Sequence, residues 1–185
     1  MRRPILLVDI DGPLNPYAAK PTRRPAGYST FRWMTPYWAE SERRRLDALG
    51  ELRKRVRPLR VWLNPGHGPA LTALPYDLVW ATSWEHAANE YVGPAIGLPE
   101  LPVIEWVPGS ESPRPADGLF WKTPQIVEWA RGRPFAWIDD LITERDADWV
   151  REHHAGPALL HRIDPRIGLT AEDFATLAEW ALGLG

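Results

Sequence analysis

Two pairs of aspartates carry the first chemical signal in this chain. Asp9 and Asp11 follow the apolar run Ile5-Leu6-Leu7-Val8, and Gly12-Pro13 comes directly after them. Asp139 and Asp140 close a second apolar run, Phe135 to Ile138. Side chains alternate along a strand, so Asp9 and Asp11 can both leave a strand end toward one crevice. Carboxylates so close repel one another unless a cation or a reacting group compensates them. Four around one edge call for a hard cation, and carboxylate oxygens select Mg²⁺ over softer metals.

Two further signals fall between the pairs. Thr82 and Ser83 follow the apolar run Asp77 to Ala81, where a hydroxyl and the amides of a starting helix can hold a phosphate oxygen. The same residues also read as an ordinary helix cap. Lys122 opens a helix, where a cation opposes the macrodipole unless it points at an anion. A surface lysine is the plainer alternative.

The elements that must position these residues can be read from periodicity. Short apolar runs at Ile5–Val8, Asp77–Ala81, Val103–Val107, Phe135–Ile138 and Ala158–Ile163 have the character of buried strands. Helical patterns fall between them, at Trp84–Tyr91, Thr123–Ala130 and Thr143–His153, and Gly109 to Asp117 reads as a loop. A last helix starts at Thr170, with Asp173 placed for a capping box. Five strands alternating with helices predict an α/β fold built on a parallel, doubly wound sheet. Residues 13–64 interrupt the alternation directly after the first strand. They contain a helical stretch, Pro36 to Val56, and a short strand, Leu59 to Leu63. The whole chain, 1–185, thus reads as one domain with a small flap or cap insertion at 13–64, overhanging the strand edge where ligands of such sheets bind.

The order Asp9-x-Asp11-Gly, Thr82 after a strand, Lys122, then Asp139-Asp140 resembles the haloacid dehalogenase-like (HAD) hydrolase superfamily. More narrowly, DIDGPLNP, VWATSW, WKT and WIDD are similar to a HAD phosphatase-type domain associated with bacterial RNA-repair proteins. The resemblance implies a Rossmann-like three-layer sandwich with a five-stranded parallel sheet ordered 5-4-1-2-3. It implies a Mg²⁺-dependent phosphatase in which Asp9 is the nucleophile and forms an aspartyl-phosphate. Asp11 would protonate the leaving oxygen and then activate water. Thr82, with Ser83, would bind the phosphoryl group, and Lys122 would neutralise it. Asp9, the carbonyl of Asp11, and Asp140 would hold Mg²⁺, with Asp139 as a further ligand or as the partner of Lys122. Pro13 stands where the family usually has Thr or Val, which stiffens the turn and removes no catalytic group. A receiver domain of a signalling relay also uses acidic residues, a Thr and a Lys, but in a different order along the chain. The phosphate-binding glycine loop of P-loop kinases is missing. A non-catalytic or regulatory module that keeps the fold and binds phosphate or nucleic acid is the competing class.

Composition narrows the setting. The chain has no cysteine, so disulfides and thiolate chemistry are excluded. No apolar run approaches the roughly 20 residues of a membrane helix. The N-terminal apolar run is too short for a signal peptide, and the expectation is a cytoplasmic protein with no membrane contact and no obligate protein partner. Net charge is −2, yet residues 20–60 hold twelve Lys and Arg against four Asp and Glu. That local excess of +8 suggests an anionic partner, although a solvated arginine-rich face accounts for it equally well. Lys20, Arg23 and Arg24 lie closest in sequence to Asp9 and are the candidates for a second phosphate. Tyr28, Phe31 and Trp33 could stack on a base, as could Trp84 or Trp121 at the mouth. The expected partner is a phosphorylated small molecule or a nucleic-acid end, with a nucleotide ahead of a sugar phosphate. The scattered histidines, His67 among them, read as structural or solvated.

Overall fold

The computed structural model describes residues 3–51, 53–110 and 118–185, so residues 111–117 of the expected loop lie outside it. Four strands form a parallel sheet: β1 (Ile5–Val8), β4 (Asp77–Trp80), β5 (Phe135–Asp139) and β6 (Ala158–Arg162), in the order β4-β1-β5-β6. A separate antiparallel pair joins β2 (Ser29–Trp33) to β3 (Leu59–Leu63), with Ser29 opposite Leu63 and Trp33 opposite Leu59.

The five-stranded parallel sheet ordered 5-4-1-2-3 is therefore not formed. The stretch expected as a strand at Val103–Val107 reduces to one parallel bridge, Trp80 with Val103, beside the edge strand β4. The bridge consists of Trp80 N–H to Pro102 O and Ile104 N–H to Trp80 O, both 2.9 Å. Prolines at 99, 102 and 108 deprive the segment of ladder donors and stop a longer pairing.

Helices cover both faces of the sheet. Alternation along β1 sends Leu6 and Val8 to one side and Ile5 and Leu7 to the other. The first side packs against α2 (His67–Ala73) through Leu71 and α6 (Ala171–Leu182) through Leu177, and takes in Val61 and Leu63 of β3. The second packs against α4 (Lys122–Ala130) through Ile126 and α5 (Glu144–His153) through Val150. All four β1 residues are buried, each worth about 1.5–3 kcal/mol of transfer free energy. A strand covered on both faces must be apolar throughout, as ILLV is.

The 13–64 segment is a unit of β2, helix α1 (Pro36–Ala48) and β3, seated on the main core through Val61 and Leu63. Thr35 caps α1 by accepting from Trp38 N–H at 3.2 Å. The helix stops well short of Val56, because Gly50 turns at φ +70° and Glu51 N–H closes back onto Leu46 O. The helix expected at Trp84–Tyr91 is also altered. Glu85 adopts φ +46°, and a π-helical turn (Ala88–Val92) leads into a short α3 (Gly93–Ile96). Asn89 anchors that turn by accepting from Trp80 Nε1 at 2.8 Å and Leu101 N–H at 3.0 Å. Among the described residues no helix is long and apolar enough to cross a membrane.

Candidate active site

Parallel pairing brings the carboxyl ends of β1, β4 and β5 to one edge. Val8 stands level with Trp80 on one side and Ile138 on the other. Asp9 N–H continues the ladder to Ile138 O at 3.1 Å, and Ala81 N–H to Val8 O at 2.9 Å. The residues just past each strand therefore come together at this edge, with Asp9 and Asp140 lining the crevice and Thr82 fully buried beside Asp9.

Lys122 sits at the centre of the charge arrangement. Its ammonium is buried and donates to Asp139 Oδ2 at 2.8 Å and to Ala81 O at 3.0 Å, and lies 3.2 Å from Asp9 Oδ1. Burial works against its charge, but Asp139 and Asp9 outweigh that and hold it above the ordinary lysine value. The aromatic faces of Trp106, Phe120 and Trp121 lie between 5.3 and 5.9 Å from it. One ammonium faces several carboxylates, so Asp9 is left without a full counter-charge. Burial pushes Asp9 well above the usual carboxylate range, with Asp139 and Asp11 adding to the rise against Lys122 and a Thr82 hydrogen bond. Burial, with Asp139, raises Asp140 as well, partly offset by the hydrogen bond from Tyr17.

Asp9, Asp139 and Asp140 each offer an oxygen within 4.8 Å of the others, a hard, acidic donor set with excess negative charge. A divalent cation fits that imbalance, although the set is not specific to Mg²⁺. The two members of the second pair differ. Asp139 is fully buried, with Oδ2 on Lys122 and Oδ1 accepting from Leu141 N–H at 2.9 Å. Asp140 faces the cleft and accepts from Tyr17 Oη at 2.8 Å. Gly12 is what lets Asp140 approach, because it sits at φ +98° and an added Cβ would lie 2.6 Å from Asp140 Cβ.

Asp11 is oriented from both sides. Asn15 Nδ2 donates to its Oδ1 at 2.7 Å, and Trp84 Nε1 to its Oδ2 at 2.9 Å. Asn15 Oδ1 in turn accepts from Trp62 N–H on β3 at 3.1 Å, tying the inserted unit to this carboxylate. Thr82 is fully buried and hydrogen-bonds Asp9 from behind, while Ser83 lines the cleft. The start of α4 is held by Asp146, a buried carboxylate accepting from Phe120 N–H at 2.8 Å and Thr123 Oγ1 at 2.7 Å. Asp146 also takes Thr143 N–H at 2.8 Å, so one side chain fixes both α4, which carries Lys122, and α5.

The cleft holds about 750 Å³ and is walled by Asp9, Asp11, Lys122 and Asp140 on the sheet side. The rest of its lining includes Tyr37 and Trp38 of α1, with Arg57 just before β3 and Arg60 within it. Lys20, Arg23 and Arg24 are exposed and do not line it. Their loop folds on itself, with Arg23 N–H on Lys20 O and Arg24 Nη1 on Thr30 Oγ1. Tyr28 is buried against His67, and the half-buried Trp33 packs on Trp84 and Tyr91, and neither lines the cleft. The sequence reading missed Asn15, Tyr17, Arg57 and Arg60 as site residues. Asn15 and Tyr17 stand within a few residues of the Asp9 motif, the one signal that could have found them. No protein-family model, no curated protein and no solved structure matches this chain.

Proposed function

We propose that the chain is a Mg²⁺-dependent phosphomonoester hydrolase of the haloacid dehalogenase type, acting through Asp9. The observation that carries this reading is the convergence of Asp9, Asp11, Lys122 and Asp140 on one cleft, with Asp139 and Thr82 behind them. Asp9 and Asp140, with Asp139 adjoining, would hold the cation, which when bound offsets phosphoryl charge and keeps Asp9 ionised.

Asp9 attacks the phosphorus, an Oδ–P bond forms, and the ester P–O bond breaks. Asp11 gives its proton to the departing oxygen, then takes one from the water that releases phosphate and regenerates Asp9. Lys122 stands 3.2 Å from Asp9 Oδ1 and meets the charge on the phosphoryl oxygens. Thr82, buried beside Asp9, favours its ionised form, and Ser83 supplies a hydroxyl at the cleft wall. This division of labour suits phosphoryl transfer, where positioning and charge neutralisation do most of the catalysis.

The substrate class is a phosphorylated small molecule or a nucleic-acid end. Rapid acid quench during turnover, followed by peptide mass analysis, tests the covalent step. A phosphoryl adduct on the peptide containing Asp9, absent from Asp9→Asn, is expected. Turnover with no adduct at any quench time contradicts it. Binding of Mg²⁺ and phosphate with no turnover on a broad ester panel would mark a binding module instead.

A further inference from the structure

The cleft is much larger than a phosphoryl group. A volume of about 750 Å³ lies in the range of pockets that enclose whole organic ligands. Its outer part must therefore be shaped for the group that leaves. Among the exposed large apolar side chains, Tyr17, Tyr37 and Leu141 all line it, and Tyr37 is 70% exposed. Trp38, beside it, is fixed by its Nε1 donating to Arg57 O at 2.9 Å.

The same wall carries two cations, Arg57 and Arg60. Neither Arg57 nor Arg60 forms an ion pair with a carboxylate among the described residues. Glu42, an acidic residue of this wall, is taken by Arg45 at 2.6 Å. Arg60 stacks its guanidinium over the Trp62 ring at 3.8 Å, and one N–H reaches Pro21 O at 3.4 Å. Stacking uses the face of the guanidinium and leaves further N–H groups on its edge for an anion.

We propose that Arg57 and Arg60 form a second anion subsite and Tyr37 a stacking face for a leaving group that carries a planar ring and another phosphate. The ligand chemistry is that of a nucleotide with two phosphates, one cleaved at Asp9 and one held by the arginines. It can be supplied by a free nucleoside bisphosphate or by the phosphorylated end of an oligonucleotide. Beside the polar side chains of Thr35, Ser41 and Glu42, this wall offers aromatic rings and guanidinium groups, which suit a planar ring and a phosphate better than a sugar alone.

The inference rests on the phosphatase reading of the same site, so the test separates the two. Hydrolysis of a nucleoside 3′,5′-bisphosphate, a nucleoside 3′-monophosphate, a 3′-phosphorylated oligonucleotide, glucose 6-phosphate and p-nitrophenyl phosphate is compared in Mg²⁺. The bisphosphate is expected to exceed the monophosphate by about tenfold in kcat/KM, the worth of one charge-assisted contact. Arg57→Ala, alone and with Arg60→Ala, should erase that difference while slowing p-nitrophenyl phosphate far less, and Tyr37→Ala should weaken both nucleotides alike. The better of the oligonucleotide and the free bisphosphate identifies the source. Equal rates for bisphosphate and monophosphate, or an arginine variant that slows every substrate equally, overturn the subsite. Calorimetric binding of the bisphosphate to Asp9→Asn keeps the question open to measurement even without turnover. Binding that is lost in Asp9→Asn with Arg57→Ala and Arg60→Ala supports the subsite although the phosphatase reading fails. No binding overturns it.

Discussion

The indole of Trp84 donates to Asp11 Oδ2 at 2.9 Å across 73 positions of sequence. Trp84 is itself held edge-on by Trp33 of the inserted unit, with ring centroids 6.1 Å apart. The carboxylate assigned to proton transfer is thus aimed by a tryptophan that follows β4 and rests on β2.

This pairing predicts a leaving-group signature. In Trp84→Phe the ring stays and the donor goes, so Asp11 loses one of its two orienting contacts. Alkyl phosphates, whose leaving oxygen needs a proton, should lose about tenfold to a hundredfold in kcat/KM. Hydrolysis of p-nitrophenyl phosphate, which leaves without one, should change far less. Equal losses on both would show that Trp84 acts only through folding.

Lys122 is the charge that makes the buried acids tolerable. Lys122→Met keeps the volume and removes the ammonium shared by Asp9, Asp139 and Ala81 O. Breaking a buried pair by removing one partner costs on the order of 3–5 kcal/mol, to be read from urea unfolding. A variant as stable as the wild type would mean the acids are compensated some other way.

His67 gives the fold a sign-defined pH dependence. Burial against Tyr28 and Phe174 holds it down to about 4, from an ordinary 6.5, and outweighs a hydrogen bond to the Leu169 backbone that acts the other way. Between those values the unfolded chain binds the proton and the folded chain does not, so stability falls as pH drops from 6.5 to about 4. The full loss is about 3 kcal/mol, with nothing further below that window. Unfolding free energies of wild type and His67→Phe from pH 7 to 4 check this, and the variant should show the shallower fall. Parallel curves would contradict it.

Legibility followed the range of the interaction. β1, β5 and the Thr170 cap with Asp173 were readable because burial on two faces and a capping box are written in consecutive residues. The sheet was not, because whether Val103 extends into a strand depends on how many donors survive between prolines and on the neighbour it meets. Thr82, Lys122 and the two acidic pairs were found through motif spacing, and the structure sets them together. That Lys20, Arg23 and Arg24 lie outside the cleft has a plain reason. The +8 segment is visible in composition, but nearness to Asp9 in sequence does not give nearness in space. The pairing of β2 with β3 instead carries Arg57 and Arg60 to the cleft and leaves Lys20 to Arg24 outside.

A cation bound by Asp9 and Asp140 should stabilise the folded chain by mass action. Mg²⁺ at a hundred times its dissociation constant adds about 2.7 kcal/mol, seen as a rise in Tm. The rise should vanish in Asp140→Asn and persist in Lys20→Ala, and a chelator should reverse it. A Tm that ignores Mg²⁺ in the wild type would contradict the site.

The central claim is that Asp9 is the nucleophile. The measurement is the steady-state hydrolysis of p-nitrophenyl phosphate in Mg²⁺ by the wild type and by Asp9→Asn, with circular dichroism confirming that both are folded. The account predicts turnover by the wild type and a rate for Asp9→Asn lower by at least about a thousandfold, since the covalent route is closed. Equal rates for the two folded proteins would contradict it.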